Sequence, residues 1–302
     1  MKEIFKGSGV ALVTPFKKNG EIDYDELRKL IEFQIKNQTD AIIICGTTGE
    51  SSTLTEKEHK RVIEECMAQV RGRVPVIAGT GSNSTQTAIE LSIEAEGIGV
   101  DGLLIVTPYY NKATQKGLKE HYKAIASTID IPIILYNVPS RTGVNLLPKT
   151  VKEIVEQNEN IVAIKEASGN LTQVEALKEI KQYLQKQGKQ FDIYSGNDDQ
   201  TFNILELGGI GVISVLANIM PKEMHDMLEY YFKGNKDYCK ELQIKKLKLI
   251  EELFKEPNPI VVKKALEKMG MINGTLRLPL TELEEEHTKT LIKEMKNNGI
   301  VF

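Results

Sequence analysis

Ile161-Val162-Ala163-Ile164-Lys165, continuing into Glu166-Ala167-Ser168-Gly169-Asn170, reads as a short aliphatic strand buried on both faces, ending in one lysine and a polar turn. Runs of the same kind recur at 9–13, 41–45, 74–78, 102–106, 132–136, 191–195 and 211–215. Charged segments with helical spacing lie between them. Over 23–36, Leu27, Leu30, Ile31 and Ile35 form one stripe, and Asp23 to Glu26 fits a capping box. Thr55-Glu56-Lys57-Glu58 opens 55–70 with the same pattern. Strands alternating with helices imply parallel pairing through crossover helices. Eight such units within about 225 residues predict an α/β fold, a (β/α)8 TIM barrel over residues 1–224. The count of eight argues against a doubly wound open sheet. Beyond Met224 the strand signals stop, and 238–254, 259–269 and the start of 281–297 read as amphipathic helices. Residues 225–302 are therefore expected to form a small C-terminal all-helical domain, with Glu256-Pro257-Asn258-Pro259 breaking its helices.

The 302-residue chain is 41% hydrophobic and 27% charged, the balance of a soluble globular protein with a large core. A net charge of −3, from 39 basic and 42 acidic residues, supplies no polyanion-binding surface, so nucleic acid is not an expected partner. No apolar run reaches the ~18 residues of a membrane span, and the N-terminal stretch lacks a signal-peptide core. The three cysteines, Cys45, Cys66 and Cys239, show no metal or redox spacing and fit reduced thiols of a cytoplasmic protein. Cys45 is expected to serve as a small buried hydrophobe. His59, His121, His225 and His287 sit singly on helix-like segments, so no metal is expected in the chemistry.

In a barrel of this kind functional groups gather at the carboxyl ends of the strands. Lys165 occupies such an end. A buried ammonium costs free energy unless it is paired or gives up its proton. A lysine held in that way is in part a neutral amine, able to form a Schiff base with a ketone. The alternative is a lysine that snorkels past the rim or pairs with a carboxylate. Gly46-Thr47-Thr48-Gly49 offers two hydroxyls and successive backbone N–H groups that suit a carboxylate, or else forms a tight turn with a helix cap. It lacks the lysine of a phosphate loop, and Gly79-Thr80-Gly81 lacks the third glycine of a dinucleotide loop. Tyr110 and Tyr136 can pass protons if a hydroxyl such as Thr47 links them. Otherwise both are rim aromatics, the reading preferred for Tyr109. The fork of Arg141 suits a second carboxylate, unless it is a solvated loop arginine.

With these residues in view, the chain resembles the dihydrodipicolinate synthase family, within the pyruvate-dependent class I aldolase superfamily that also holds N-acetylneuraminate lyase. The resemblance runs through GTTGES (46–51), VTPYYN (106–111), LYNVPSRTG (135–143), IKEASGN (164–170), SGND (195–198), GVISV (211–215), NPI (258–260) and LRLPL (276–280). It implies a lyase that condenses pyruvate with aspartate 4-semialdehyde to 4-hydroxy-tetrahydrodipicolinate, in lysine biosynthesis through diaminopimelate. Lys165 would form the Schiff base with pyruvate, and no external cofactor would be needed. Thr47 and Thr48 would hold the pyruvate carboxylate. Thr47, Tyr136 and Tyr110 would form the proton relay, with Tyr110 supplied by a neighbouring subunit. Gly196 and Ile213 would contact pyruvate through the backbone, and Arg141 would bind the semialdehyde carboxylate. A homotetramer built as a dimer of dimers is the implied assembly.

Leu216 and Val261 depart from the family's pattern and read as packing variants. Ser51, His59, Asn83 and Tyr109 match its lysine-inhibition site, but lysine-sensitive members carry histidine where this chain has Glu56 and glutamate where it has Thr87. Without a carboxylate at Thr87 an amine ligand loses a charge-assisted partner, so feedback inhibition is expected to be weak or absent. Two rival readings are a sialic acid or 2-keto-3-deoxy sugar acid lyase of the same superfamily, and a non-catalytic pyruvate-binding regulator. Arg141 and Tyr110 count against the first, and Lys165 with its relay against the second.

Overall fold

The structure, a computed structural model, describes residues 3–302. Eight parallel strands close a barrel in chain order. They are β1 (Gly7–Ala11), β2 (Ala41–Ile44), β3 (Val76–Gly79), β4 (Gly102–Val106), β5 (Ile133–Asn137), β6 (Ile161–Glu166), β7 (Asp192–Ser195) and β8 (Gly211–Ser214). All but β3 and β4 are buried along their whole lengths, as strands walled by side chains inside and helices outside must be. The expected barrel is therefore present, with strand ends displaced by one or two residues. β1 starts two residues early because the Asp40 carboxylate takes the Ser8 N–H at 2.7 Å, a pairing that no local pattern announces. β3 starts two residues late, behind Pro75, which has no N–H to give a ladder.

The helix Glu56–Val70 opens with the full capping box. The Glu58 N–H reaches Thr55 Oγ1 at 3.3 Å, and the Thr55 N–H reaches Glu58 Oε2 at 2.9 Å. The box expected at Tyr24–Lys36 is only half formed. Asp23 accepts from the Glu26 N–H at 3.0 Å, but the Glu26 carboxylate turns to the Asn273 N–H at 3.2 Å instead. Beyond the barrel come helices Pro221–Phe232, Lys236–Leu253, Ile260–Lys268 and Glu285–Asn297. No helix among the described residues is long and apolar enough to cross a membrane.

Compaction does not follow chain order. One compact unit holds Pro75–Ile213 with residues 3–6. Within it Phe5 stacks on Tyr194 at 4.4 Å, and the Tyr194 hydroxyl donates to the Phe5 carbonyl at 2.6 Å. The other unit joins Gly7–Val74 to Ser214–Phe302. There Asn218 accepts from the Val13 N–H at 3.2 Å and donates to the Ala11 carbonyl at 2.8 Å, tying residues 205 and 207 positions apart.

Candidate active site

In the unit that carries β5 to β7, the strand register sets the site. Tyr136 pairs with Lys165 and Asn137 with Glu166 across β5 and β6, and Lys165 pairs with Tyr194 of β7. Side chains alternate along a strand, so Tyr136 and Lys165 share one face while Asn137 and Glu166 share the other. Lys165 is only 6% exposed, and among the described residues no carboxylate stands within ion-pair distance of it. Its Nζ instead lies 4.2 Å from the centroid of the Tyr136 ring. Gly196 closes the other side. A Cβ there would stand 2.6 Å from Ala167 Cβ and 3.1 Å from Lys165 Cε, so only glycine leaves room for the lysine stem. Ile213 is buried on β8.

On the opposite face the Glu166 carboxylate is 1% exposed and surrounded by neutral donors. Asn137 Nδ2 reaches its two oxygens at 3.2 and 3.1 Å, Gln173 Nε2 reaches it at 2.9 Å and the Ser168 N–H at 2.7 Å. Asn137 also takes the Leu146 N–H at 2.9 Å and donates to Asn145 at 2.8 Å. The segment carrying Arg141 is thereby pinned to the strand carrying Tyr136. Arg141 itself is exposed, on the one-turn helix Pro139–Thr142. Tyr110, at φ 73°, donates its N–H to the Thr142 carbonyl at 3.3 Å, which brings its backbone beside that of Arg141. Its ring does not join Tyr136 and Lys165 within one chain, for Tyr110 is 88% exposed.

The loop after β2 belongs to the other unit, and its backbone differs from the expected cradle. The N–H groups of Gly49 and Ser51 turn back on the Gly46 carbonyl at 3.1 and 3.4 Å, and that of Glu50 on the Thr47 carbonyl at 3.1 Å. Among the described residues this leaves the amides of Thr47 and Thr48 for a ligand, beside their two hydroxyls. The turn is held from beneath. Thr14 Oγ1 donates to the Gly49 carbonyl at 2.7 Å, and Asn258 Nδ2 donates to Thr48 Oγ1 at 2.9 Å. Glu50, at φ 52°, sends a 1% exposed carboxylate to the wholly buried Lys263 Nζ at 2.6 Å and accepts the Arg277 N–H at 3.1 Å. Lys263 also donates to the Thr14 carbonyl at 2.9 Å and lies 4.2 Å over the Phe16 ring. Burial pushes its ammonium down to about 8 against the pull of Glu50. Arg277 grips both oxygens of Glu58, at 2.8 and 2.5 Å, and holds that carboxyl down at about 2.

Sequence reasoning did not assign Asn137, Glu166, Asn258, Lys263 or Arg277. The motifs IKEASGN, NPI and LRLPL mark three of them, but the partners of Asn258 and Arg277 lie more than 200 positions away in the chain. Cys45 is buried as expected, and burial raises its thiol well above the usual range and the Cys66 thiol to about 12. Among the described residues two side-chain groups could hold a cation, His225 with Asp226 and Glu229, and Glu256 with Glu284 and His287. Neither contains a residue of the site.

A parallel (β/α)8 barrel whose sixth strand carries a buried lysine over a tyrosine ring, with no carboxylate in ion-pair range of it among the described residues, is the framework of a Schiff-base-forming lyase of the class I aldolase type. The chain belongs to the dihydrodipicolinate synthetase family, whose model matches residues 4–298. A 4-hydroxy-tetrahydrodipicolinate synthase of Clostridium tetani is 57% identical over 298 residues, 99% of each chain. The chloride-inhibited dihydrodipicolinate synthase of Acinetobacter baumannii, solved in complex with pyruvate, is 44% identical with a TM-score of 0.94, covering 99% of this chain and 100% of that one. A variant characterised as the first monomeric dihydrodipicolinate synthase is also 44% identical, with a TM-score of 0.95 over 99% and 98% of the two chains.

Proposed function

We propose that this protein condenses pyruvate with aspartate 4-semialdehyde through a Schiff base on Lys165, giving 4-hydroxy-tetrahydrodipicolinate. The observation that carries the reading is the buried Lys165 amine at a strand end, set against Tyr136 and Gly196 with no carboxylate in ion-pair range among the described residues. The Lys165 amine attacks the keto carbon of pyruvate, and loss of water gives an iminium. That cation draws electrons from the adjacent methyl group, and removal of one methyl proton gives the enamine. Tyr136, with Thr47 and the Tyr110 of a second copy, moves the proton. The enamine carbon attacks the aldehyde, forming the new carbon–carbon bond, and the aldehyde oxygen takes a proton. The amine of the semialdehyde then adds to the iminium carbon, releases Lys165 and closes the ring.

Thr47 and Thr48 hold the pyruvate carboxylate, Gly196 and Ile213 line its other side through the backbone, and Arg141 binds the semialdehyde carboxylate by a charge-assisted fork. The chemistry calls for no external cofactor. We read residues 1–224 as the catalytic barrel and 225–302 as its helical companion. The exposure of Tyr110 supports an assembly in which a second subunit covers it, a dimer of dimers, and the three buried free thiols suit the cytoplasm.

Reduction with borohydride in the presence of pyruvate, followed by mass spectrometry, tests the nucleophile. The wild type gains one reduced pyruvate and Lys165→Ala gains none. An adduct on Lys165→Ala, or none on the wild type, overturns the assignment. Condensation followed through a coupled reductase tests the acceptor. Arg141→Ala should lose about 10- to 100-fold in kcat/KM for the semialdehyde while still forming the pyruvate adduct. Cleavage of sugar acids without condensation would transfer the site to the lyase reading.

A further inference from the structure

We infer that Asn258 is a positioning residue that makes the Thr48 hydroxyl a hydrogen-bond donor toward the pyruvate carboxylate. The inference rests on the proposed function, in which Thr48 meets that carboxylate. Asn258 stands in the turn ahead of the helix Ile260–Lys268, in the part of the chain that the sequence casts as packing. Asn258 is 5% exposed and Thr48 2%. Asn258 Nδ2 points at Thr48 Oγ1 from 2.9 Å.

A threonine hydroxyl has one proton and two lone pairs, and a rotor that turns to suit its neighbours. An amide N–H aimed at the oxygen occupies a lone pair and directs the hydroxyl proton elsewhere. Among the described residues the Thr48 hydroxyl has no second hydrogen-bond partner. Its proton is therefore kept for something the chain does not supply. An ionised carboxylate accepts hydrogen bonds and donates none, so it is the natural acceptor. The reverse arrangement, with Thr48 donating to Asn258, would present the carboxylate with oxygen lone pairs. Asn258 thus decides the polarity of the hydroxyl, and its position is anchored nearby. The Ile260 N–H closes on the Pro257 carbonyl at 3.0 Å, and Lys263 on the same helix is fixed by Glu50 and Thr14.

The test compares Asn258→Asp, Asn258→Ala and Thr48→Val, alone and combined, by steady-state kinetics and borohydride trapping on the full-length protein. Aspartate keeps the shape but accepts only, so the Thr48 hydroxyl turns toward it and a second anion is left near the substrate. Asn258→Asp is expected to raise the pyruvate KM about 10- to 100-fold, with kcat and the semialdehyde KM changed by less than about threefold. Asn258→Ala should raise the pyruvate KM less than Asn258→Asp does. In the Thr48→Val background the effect of Asn258→Ala should vanish, since no hydroxyl is left to orient. An unchanged pyruvate KM in Asn258→Asp, or an undiminished effect of Asn258→Ala on Thr48→Val, overturns the proposal. If Asn258→Asp does not fold, the alanine and valine cycle decides alone. A wild type that traps no pyruvate removes the underlying reading instead, which separates the two failures.

Discussion

Replacing Lys263 with methionine removes an ammonium from a place that water does not reach and leaves Glu50 behind. The two side chains are 0% and 1% exposed and meet at 2.6 Å. At that distance and an effective dielectric of about 20 their attraction is ~6 kcal/mol before desolvation is counted. Desolvation cancels much of this, as the lowering of the Lys263 ammonium to about 8 reflects. The substitution does not refund that cancellation, because Glu50 stays buried with only the Arg277 N–H on its other oxygen. Removing one partner of such a pair costs about 3–5 kcal/mol. For a chain of this size that is a fall in unfolding midpoint of roughly 5–8 °C, read at fixed protein concentration. Adding Glu50→Gln to Lys263→Met takes away the stranded charge and should restore about 2 kcal/mol, since the two sites act as one. Urea unfolding of the wild type, both single variants and the double variant gives the four corners of the cycle. A loss below about 1 kcal/mol in Lys263→Met, or simple additivity in the double variant, refutes the reasoning. The loosened Gly46–Ser51 turn should also raise the pyruvate KM.

Gly196→Ala would place a methyl group 2.6 Å from Ala167 Cβ and 3.1 Å from Lys165 Cε. We expect the displaced lysine to slow adduct formation about 100-fold with little change in circular dichroism, measured as the rate of borohydride trapping. Burial holds the His121 imidazole down to about 4, so the folded state keeps it neutral. Its contribution to stability is complete above its ordinary value near 6.5 and is lost as the pH falls toward 4. Urea midpoints at pH 7 and pH 4.5 should therefore differ less in His121→Gln than in the wild type, and an equal difference would remove this histidine from the acid response. A titration with lysine should give at most weak inhibition, as the family resemblance implies from Glu56 and Thr87. Strong inhibition below millimolar concentration would reverse that expectation.

Lys165 and Tyr136 were legible because they end adjacent strands, and a run buried on both faces is aliphatic whatever its function. The period of a strand then puts both on one face without further information. The pairing of Asn137 with Glu166 follows from the same register, yet a glutamate after a lysine at a strand end reads first as a solvated rim residue. The Gly46–Ser51 segment was legible as a glycine-bounded turn at a strand end but not in its backbone, because nothing local foretells which amides the turn consumes. Asn258 reaches Thr48 over 210 residues and Lys263 reaches Glu50 over 213. Such pairs leave no periodic trace. In Val261-Val262-Lys263-Lys264 the two lysines look equivalent, and only the fold buries the first, while the second pairs with Glu267 at 16% side-chain exposure.

The same long reach sets a timetable for synthesis. A ribosome adds about 5–20 residues per second, so Glu50 waits roughly 10–40 s for the lysine 213 positions downstream. Glu58 waits as long for Arg277, 219 positions on. The stretch Pro75–Ile213 meets its own neighbours while translation is still running, whereas Gly7–Val74 leaves the ribosome first and completes its unit last. During that interval the earliest part of the nascent chain carries the Glu50 carboxylate without its lysine and a strand, β1, without the later helix Pro221–Phe232 that packs on it. That opening segment is where a holding chaperone has most to protect.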